Sequence, residues 1–570
     1  MENTDLAQAL AEMADLLELS GGNAFKVRAY RQAAELIDTH PVPVAQLLAA
    51  GTLEDLPGIG AHIRQHLADL LAHGSFPELD AVRGQVPEGL LEVLRVEGVG
   101  PKTALAAWKG LGITTVDGLE AACRDGALAG LPRMGAAKAR NIQKAIERYR
   151  GRRGRVLLHR ALPVAEALVR HLAKVKGVEQ AEAAGSLRRR KETVGDLDLV
   201  VAAKDAAPVM AAFRTAPDLV SVEASGPTRA TGRLRSGLQV DVRVVEPDVF
   251  GAALHYFTGS KAHNIAVRTR AMKAGLKLSE YGLFDARGKR LAGRTEEDVY
   301  RAVGLPWIPP ELREAQGELE AAERGRLPDL VELDDLRGDL HVHTRASSDA
   351  KSTLDEVAGE ARALGLAYVA ITDHTRSRPL GLDDAALAAH AKAIRAADAK
   401  RHGGPRLLAG AEVDILGDGS LDIADEVLDG LDLVVASVHQ RLNDAREVMT
   451  ARMVKAARSG HVHVLGHPSN RQLGTRDASD FDLEQVIAAA KPKHVALEVN
   501  AQPDRLDLTD QACRLAKAGG VPVVISSDAH HAGQLENLRY GVWVARRGWL
   551  EKKDVLNTLP LEKLRARLAH

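Results

Sequence analysis

The feature that most restricts the fold is a rhythm running through residues 336–570. Seven short apolar runs alternate there with helix-like segments: "DLHVHT", "AYVAITDHT", "RLLAGAEVDI", "LDLVVASVHQ", "HVHVLGHPS", "HVALEVNA" and "VPVVISSDAH". Short apolar runs of this kind read as buried strands, and strands alternating with helices read as a parallel sheet or barrel. The pattern therefore predicts a seven-unit, barrel-like domain. All runs but the sixth finish with a clear His, Asp or Glu ligand candidate. In an α/β barrel the C-terminal strand ends form one rim, and active sites lie on it.

Residues i and i+2 of a strand point to the same face, so His341 and His343 of "GDLHVHT" share one. With Asp349, His374, Glu412, His439, His467, Asp528 and His530 they make nine candidates at or just after strand ends. Imidazoles mixed with carboxylates suit Mn²⁺, Zn²⁺ or Fe. A single H-x-H is commonly structural, but nine donors on one rim are hard to explain as core residues. Of 21 histidines, 13 follow residue 333; that enrichment gains meaning only from the strand-end positions. His461, His463, His494 and His531 read as non-ligands, and Asp373 as a partner of a metal-bound histidine.

An earlier stretch repeats the geometry with carboxylates. In "GDLDLVV" (195–201) Asp196 and Asp198 share a strand face, and "LQVDVRVV" (238–245) supplies Asp241 on a neighbouring strand. Three carboxylates can hold two Mg²⁺, a hard ion that takes oxygen ligands from protein and substrate phosphates. A lone D-x-D is more often two solvated acids. Here Gly185, Ser186 and Arg189 lie close by in sequence and offer backbone and guanidinium groups to a triphosphate.

Residues 1–80 have helical apolar spacing, in "LAQALAEMADLLEL" and "AYRQAAELI". Three glycine segments follow at intervals: "LPGIGAHI" (56–63), "VEGVGPKTA" (96–104) and "LPRMGAAKA" (131–139). In the first two a G-x-G turn opens a helix, with Gly58 and Gly60, then Gly98 and Gly100 followed by Lys102. Glycines permit close backbone approach, and free N–H groups at a helix start favour a phosphate. The plain alternative is a tight helix–helix turn, and the third segment, interrupted by Arg133 and Met134, fits that alternative. Residues 150–160, "RGRRGRVLLHR", hold five arginines and no acid, whereas the overall net charge of −1 neither suggests nor excludes nucleic acid. No apolar run is long enough to span a bilayer, and the first residues have no signal-peptide pattern. With only Cys123 and Cys513, no disulfide framework is possible, and a cytoplasmic location is expected.

The paired G-x-G segments resemble helix-hairpin-helix motifs, which grip nucleic-acid backbones without reading sequence. "GSLRRRKETVGDLDLV" and "YFTGSKAHNIAVRTRA" (256–271) resemble the nucleotidyltransferase core of family X DNA polymerases, the polymerase β family. That resemblance covers roughly residues 1–315 and implies a metal-binding triad of Asp196, Asp198 and Asp241. It implies phosphate contacts at Arg155, Gly185, Ser186, Arg189 and Gly195. Tyr256 and Phe257 would lie beneath the sugar, Gly259 would be a further nucleotide contact, and Asn264 and Arg268 would face the nascent base pair and template. Val194 stands where the family pattern has a serine. The histidine-rich half resembles the polymerase-and-histidinol-phosphatase (PHP) domain, a distorted seven-unit barrel with a trinuclear metal centre that hydrolyses phosphoesters. The whole chain is similar to family X polymerases that carry this domain.

The resemblance implies a multidomain α + α/β chain. A helical 8-kDa-like DNA-binding domain occupies 1–80 and a helix-hairpin-helix domain 81–153. A nucleotidyltransferase palm follows at 154–245, a nascent-base-pair domain at 246–315, a linker at 316–335 and a PHP phosphoesterase, a distorted (β/α)7 barrel, at 336–570. It implies gap-filling repair synthesis from dNTPs with two Mg²⁺ or Mn²⁺, and a 3′→5′ exonuclease with about three Mn²⁺ or Zn²⁺ shared among bridged sites. The expected partner is gapped or nicked DNA, and the chain is expected to act as a monomer without a membrane. Rival readings give the barrel to a 3′-phosphatase or abasic-site endonuclease, or make it a scaffold. A non-catalytic gap-binding protein is opposed by the intact triad. The family's lyase lysine aligns with His66, and a preceding basic position with His62. Lys26 and Arg64 are expected to bind a 5′-phosphate, without efficient lyase chemistry, because imidazole cannot form the Schiff base of a primary amine.

Overall fold

The computed structural model describes residues 3–569 apart from 39–41, 54, 55, 57, 97, 133 and 153. Arg133 of the third glycine segment and Arg153 of the basic run thus lie outside the described residues. The chain divides into two compact units, Met1–Arg153 and Gly154–His570.

The first unit is helical. Leu6, Leu10, Met13 and Leu17 follow one face of the helix Asn3–Leu19, and all are buried, as a helical repeat requires. Gly58 and Gly98 take φ of +92° and +79°, a region that costs an L side chain energy. Gly60 and Gly100 then cap the helices Ala61–His73 and Pro101–Leu111. A Cβ at Gly58, Gly60 or Gly100 would meet open space. These turns therefore leave their backbone accessible to a ligand. The interrupted third segment also opens a helix, Gly135–Arg152, with Gly135 at φ +59°.

The second unit begins with a five-stranded mixed sheet. Its spatial order is Val178–Ala183, Asp196–Ala203, Gln239–Val245, Arg229–Leu234 and Leu219–Ser225. The strand Gln239–Val245 alternates strictly, burying Val240, Val242 and Val244, so Asp241 is turned to the other, more open face. Helices Phe250–Thr258 and Lys261–Lys273, a three-stranded sheet and the helix Glu296–Ala302 follow.

The segment 316–335, expected as a linker, is folded. It contains the helix Glu318–Glu323, and Ala322, Leu330 and Val331 are buried. Glu318 is fully buried, accepts from the backbone N–H of Ala315 and Gln316, and shares a 2.6 Å hydrogen bond with His263 Nδ1. Its leucines and alanine sit where they can be buried, which a charge-rich composition conceals.

Seven parallel strands then run in sequence order: Gly338–Val342, Tyr368–Ile371, Arg406–Asp414, Leu433–Ser437, Val464–Leu465, Ala496–Asn500 and Val523–Ser526. A parallel bridge between Val342 and Ala529 brings the first strand beside the end of the last, nearly closing a barrel. Almost every strand residue is buried, because helices cover the outer face of such a sheet and side chains fill its interior. The mixed sheet and the barrel share one continuous buried core, which includes Leu197 and Val242 from the former and Val342 and Ile525 from the latter. No helix among the described residues is long and apolar enough to cross a membrane.

Candidate active sites

The first site forms where two parallel strands begin. Asp198 and Asp241 are direct register partners, and Asp196 lies one pleat away opposite Gln239. Gln239 Nε2 donates to Asp241 Oδ2 at 2.7 Å, and the Thr231 hydroxyl donates to Asp241 Oδ1. Burial, then the charges of Asp196 and Asp241, push the Asp198 carboxyl up to about 7. Three acids on one open face with little cationic relief is the electrostatic condition that a divalent ion relieves.

Gly185, at φ +61°, opens the short helix Gly185–Arg188. A Cβ on it would lie 2.3 Å from Asp198 Oδ2, so only glycine lets the phosphate-type turn and the triad coexist. Ser186 is half-buried in this turn. Arg155 donates to Thr193 Oγ1 and to the Thr193 carbonyl, and its Nη1 would stand 3.1 Å from a Cβ at Gly195. Arg189 donates to Glu314 Oε1 at 2.9 Å and to the Thr258 carbonyl. In this structure its guanidinium is therefore engaged by protein groups. Tyr256 is exposed and meets Phe257 edge-on, with ring centroids 5.1 Å apart. Asn264 Nδ2 donates to the Tyr256 carbonyl, holding the helix Lys261–Lys273 against that pair, and Arg268 is exposed on the same helix. Gly259, at φ +69°, leaves room for Arg189, whose Nη1 would lie 3.2 Å from a Cβ there.

The second site lies at the C-terminal rim of the barrel, and all nine candidates converge on it. His341, His343, His374, Glu412, His467 and Asp528 are buried, while His530 and Asp349 are partly exposed and line its open side. Three overlapping groups have every donor atom within 4.8 Å of the others: His341, His343 and Asp528; His374, Glu412 and His439; and His343, His374 and His530. Asp349 lies 3.4 Å from His374 and 3.6 Å from His530, and His467 shares a 2.9 Å contact with Glu412 Oε1.

The decisive observation is what these atoms lack. His341 Nε2, His343 Nε2, His374 Nδ1, Glu412 Oε2 and Asp528 Oδ1 are buried without a well-aligned hydrogen bond, although His374 Nδ1 lies 2.8 Å from Glu412 Oε2. Buried polar atoms are otherwise almost always satisfied. They face one another instead: His341 Nε2 is 3.5 Å from Glu412 Oε2, and His343 Nε2 is 3.2 Å from Asp528 Oδ1. That is the arrangement of ligands around shared cations, so the donor set fits metal ions. Electrostatics agree. Burial opposes charge on His374, but Glu412 and Asp349 outweigh it and lift the imidazole to about 10. Burial also opposes the Glu412 charge, yet His439, His341 and His374 hold it well below the ordinary value. His343, by contrast, is pushed down to about 4 by burial and by the neighbouring His530 and His374. A rim so rich in carboxylates attracts positive charge, and protons alone distribute it unevenly. His467 and Asp528 adopt φ of +26° and +50°, a strain of about 1–3 kcal/mol each that functional sites typically retain.

Two supporting carboxylates escape the sequence reading. Glu498, on the one strand without an assigned ligand, accepts from His341 Nδ1 at 2.7 Å and from the His467 backbone N–H at 2.6 Å. Asp414 lies 3.2 Å from His439 Nδ1. Both follow the same i, i+2 rule as the ligands: Asp414 is two residues beyond Glu412, and Glu498 is two before Asn500, which donates to Asp528. Asp373 meets the candidate His343 through an intervening hydroxyl, that of Ser347. It also accepts from Thr344 and His390. His463 and His461 bond elsewhere, to Val434 and Leu568 and to Asp429 respectively.

In the helical unit, Lys26 is half-exposed and paired with Glu78 at 3.0 Å. His66 is buried against Tyr30 and Phe76, and Lys102 opens the helix Pro101–Leu111 at its second residue.

Family models match along the chain: a helix-hairpin-helix domain over residues 1–76, a helix-hairpin-helix tandem over 90–148, a DNA polymerase beta thumb over 253–314 and a PHP domain over 339–502. The chain is 35% identical over 571 residues to the DNA polymerase/3′-5′ exonuclease PolX of Bacillus subtilis, covering 99% of each. It is also 30% identical over 230 residues to a probable phosphatase of Thermoanaerobacter sp., which spans 39% of this chain and 89% of that protein. A probable phosphatase of Vibrio parahaemolyticus is 32% identical over 210 residues, 35% of this chain and 80% of that protein.

Proposed function

This chain belongs to the family X DNA polymerases that carry a C-terminal PHP domain, and from that premise we propose that it fills short gaps in DNA and trims 3′ ends. The observation that carries the reading is that one folded unit presents two separate donor sets, an all-carboxylate set at a sheet end and an imidazole-rich set on a barrel rim.

For synthesis, Asp196, Asp198 and Asp241 would hold two Mg²⁺ or Mn²⁺, whose chemistry there would be to activate the primer 3′-oxygen and to stabilise the leaving pyrophosphate. Gly185 and Ser186 offer backbone groups to the triphosphate, with Arg155 beside Gly195. Arg189 exchanges Glu314 for a phosphate oxygen. Tyr256, Phe257 and Gly259 form the floor under the sugar, and Asn264 and Arg268 face the base pair. The helical unit grips the sugar-phosphate backbone through the turns at Gly58, Gly60, Gly98 and Gly100, helped by Lys26 and Lys102.

For degradation, the nine rim residues would hold about three ions, Mn²⁺ or Zn²⁺, whose chemistry there would be to activate water and to stabilise the leaving oxygen. Glu498 and Asp414 keep His341 and His439 in their ligating orientation. The domain limits proposed are those expected from the sequence, with 316–335 a folded connection: Ala322 packs in the core before the barrel, and Val331 and Glu332 bond to Leu550 and Arg546 of the barrel half. The protein works as a cytoplasmic monomer on gapped or nicked DNA.

A primer-extension assay on a one-nucleotide gap, with Mg²⁺ or Mn²⁺ and with or without dNTPs, tests this directly. Filling with nucleotides and 3′ shortening without them is the expected result; neither band would end the proposal. The probable-phosphatase relatives favour a second reading of the barrel, as a phosphomonoesterase. A rate on a 3′-phosphate well above that on a plain 3′ end would favour it.

A further inference from the structure

Far from both sites in sequence, a group of donor atoms in the helical unit has no assigned task. His62 and His66 stand one turn apart on the helix Ala61–His73 and so share a face. Glu78, in the first turn of the helix Pro77–Arg83, meets them both. Its Oε2 lies 3.7 Å from His62 Nε2 and 3.5 Å from His66 Nε2. All three donor atoms are within 4.8 Å of one another. Bonds of about 2.0–2.1 Å to a tetrahedral ion place ligand atoms roughly 3.3–3.5 Å apart, so a small contraction closes the site.

The surrounding hydrogen bonds prepare the donors. The Tyr30 hydroxyl donates to Glu78 Oε2 at 3.3 Å and lies 3.0 Å from His66 Nδ1. A phenol has one proton. Having given it to Glu78, Tyr30 accepts from His66 Nδ1–H, and the lone pair of His66 then sits on Nε2, facing Glu78. This is the way metal-bound histidines are usually fixed, with the other ring nitrogen donating outward. Lys26 occupies the remaining carboxylate oxygen, Oε1, at 3.0 Å, leaving Oε2 toward the imidazoles. The His66 ring is locked by stacking on Phe76, with centroids 4.0 Å apart. Burial also lowers its affinity for a proton, which keeps it neutral. His62 is 66% exposed, so the site opens to solvent on that side.

We propose that His62 Nε2, His66 Nε2 and Glu78 Oε2 bind one divalent transition-metal ion of the Zn²⁺ class. The ion ties the helix Ala61–His73 to the helix Pro77–Arg83 and keeps one coordination position free for water or an anionic oxygen. Two imidazoles and one carboxylate with an open fourth position suit Zn²⁺ better than Mg²⁺ or Ca²⁺. The competing arrangement has protonated ring nitrogens donating to Glu78, with Lys26 completing charge balance.

Equilibrium dialysis of the full chain against Zn²⁺, with metal counted by mass spectrometry, separates the two. The proposal requires His62→Ala and Glu78→Gln each to bind one Zn²⁺ fewer than the unaltered chain, with the rest of the complement retained. Because the His62 side chain is largely in solvent, alanine there leaves packing intact, and circular dichroism verifies this. If Glu78→Gln loses helix content, His62→Ala decides alone. As a second reading, Zn²⁺ added to chain already saturated with Mn²⁺ raises the melting temperature of the unaltered protein but not of His62→Ala. Equal Zn²⁺ counts in the unaltered chain and His62→Ala would overturn the site.

Discussion

Gly185 shows how much a single residue can hold in place. Its φ is +61°, and a Cβ there would stand only 2.3 Å from Asp198 Oδ2, which leaves no room for a side chain. Gly185→Ala is therefore expected to displace Asp198 and to slow nucleotide addition by roughly 100-fold, the scale of a 1 Å error in a catalytic group. Degradation of 3′ ends by the same variant stays at the original rate, and a matched loss of both activities would count against the assignment. Glu498 is the counterpart in the barrel. As the acceptor of the His341 Nδ1 proton it fixes the orientation of that imidazole. Replacing it with Gln is expected to weaken metal retention by about 10–100-fold, read as ions per chain after dialysis. Retention equal to the original protein would remove its supporting role. The rim candidates were legible because they lie at or near the ends of apolar runs. Glu498 was not, since it lies inside its strand, one pleat before the end, and nothing in the run "HVALEVNA" distinguishes a buried acid from a surface one.

At the scale of elements, strand order, parallel pairing and the rim position followed from the alternation of runs and helices, because that alternation has few packing solutions. The folded state of 316–335 did not follow. Its stability rests on a buried polar network whose partners are distant in sequence, such as His263 with Glu318. A second buried polar network centres on Glu296, at the start of the helix Glu296–Ala302, 4% exposed and bonded by both Arg188 and Arg313. Burial opposes the Glu296 charge, but Arg313 and Arg188 outweigh it and hold the carboxyl far below its ordinary value near 4.5. A depressed folded-state value stabilises the fold above that ordinary value, and the contribution is lost as pH falls toward the folded one. Glu296→Ala, which leaves the buried Arg313 guanidinium and the partly exposed Arg188 without their carboxylate, is expected to cost about 3–5 kcal/mol at pH 7. The difference from the original chain should shrink as the medium is acidified below the ordinary glutamate range. Urea unfolding at a series of pH values measures this, and a pH-independent difference would refute the electrostatic account.

For the molecule as a whole, the mixed sheet and the barrel are held by more than a tether. They share a buried core, Arg471 of the barrel pairs with Glu192 at 2.5 Å, and the Arg190 guanidinium lies 4.2 Å over the Trp543 ring. Glu192 lies four residues before Asp196, so the barrel buttresses the loop that leads to the triad. A barrel used only as a scaffold would account for that contact, but not for five buried metal-type donor atoms on its rim that face one another without a well-aligned hydrogen bond. The central claim is that one folded unit carries two chemically independent centres. The measurement that reaches it most directly is a single gel assay of synthesis and 3′ degradation on two double variants, with metal content determined in parallel. Asp196→Ala with Asp198→Ala should abolish extension and keep degradation. His341→Ala with His343→Ala should lose metal and degradation and keep extension. If either pair removes both activities while the protein remains folded, or leaves its own intact, the account of two separate centres is contradicted.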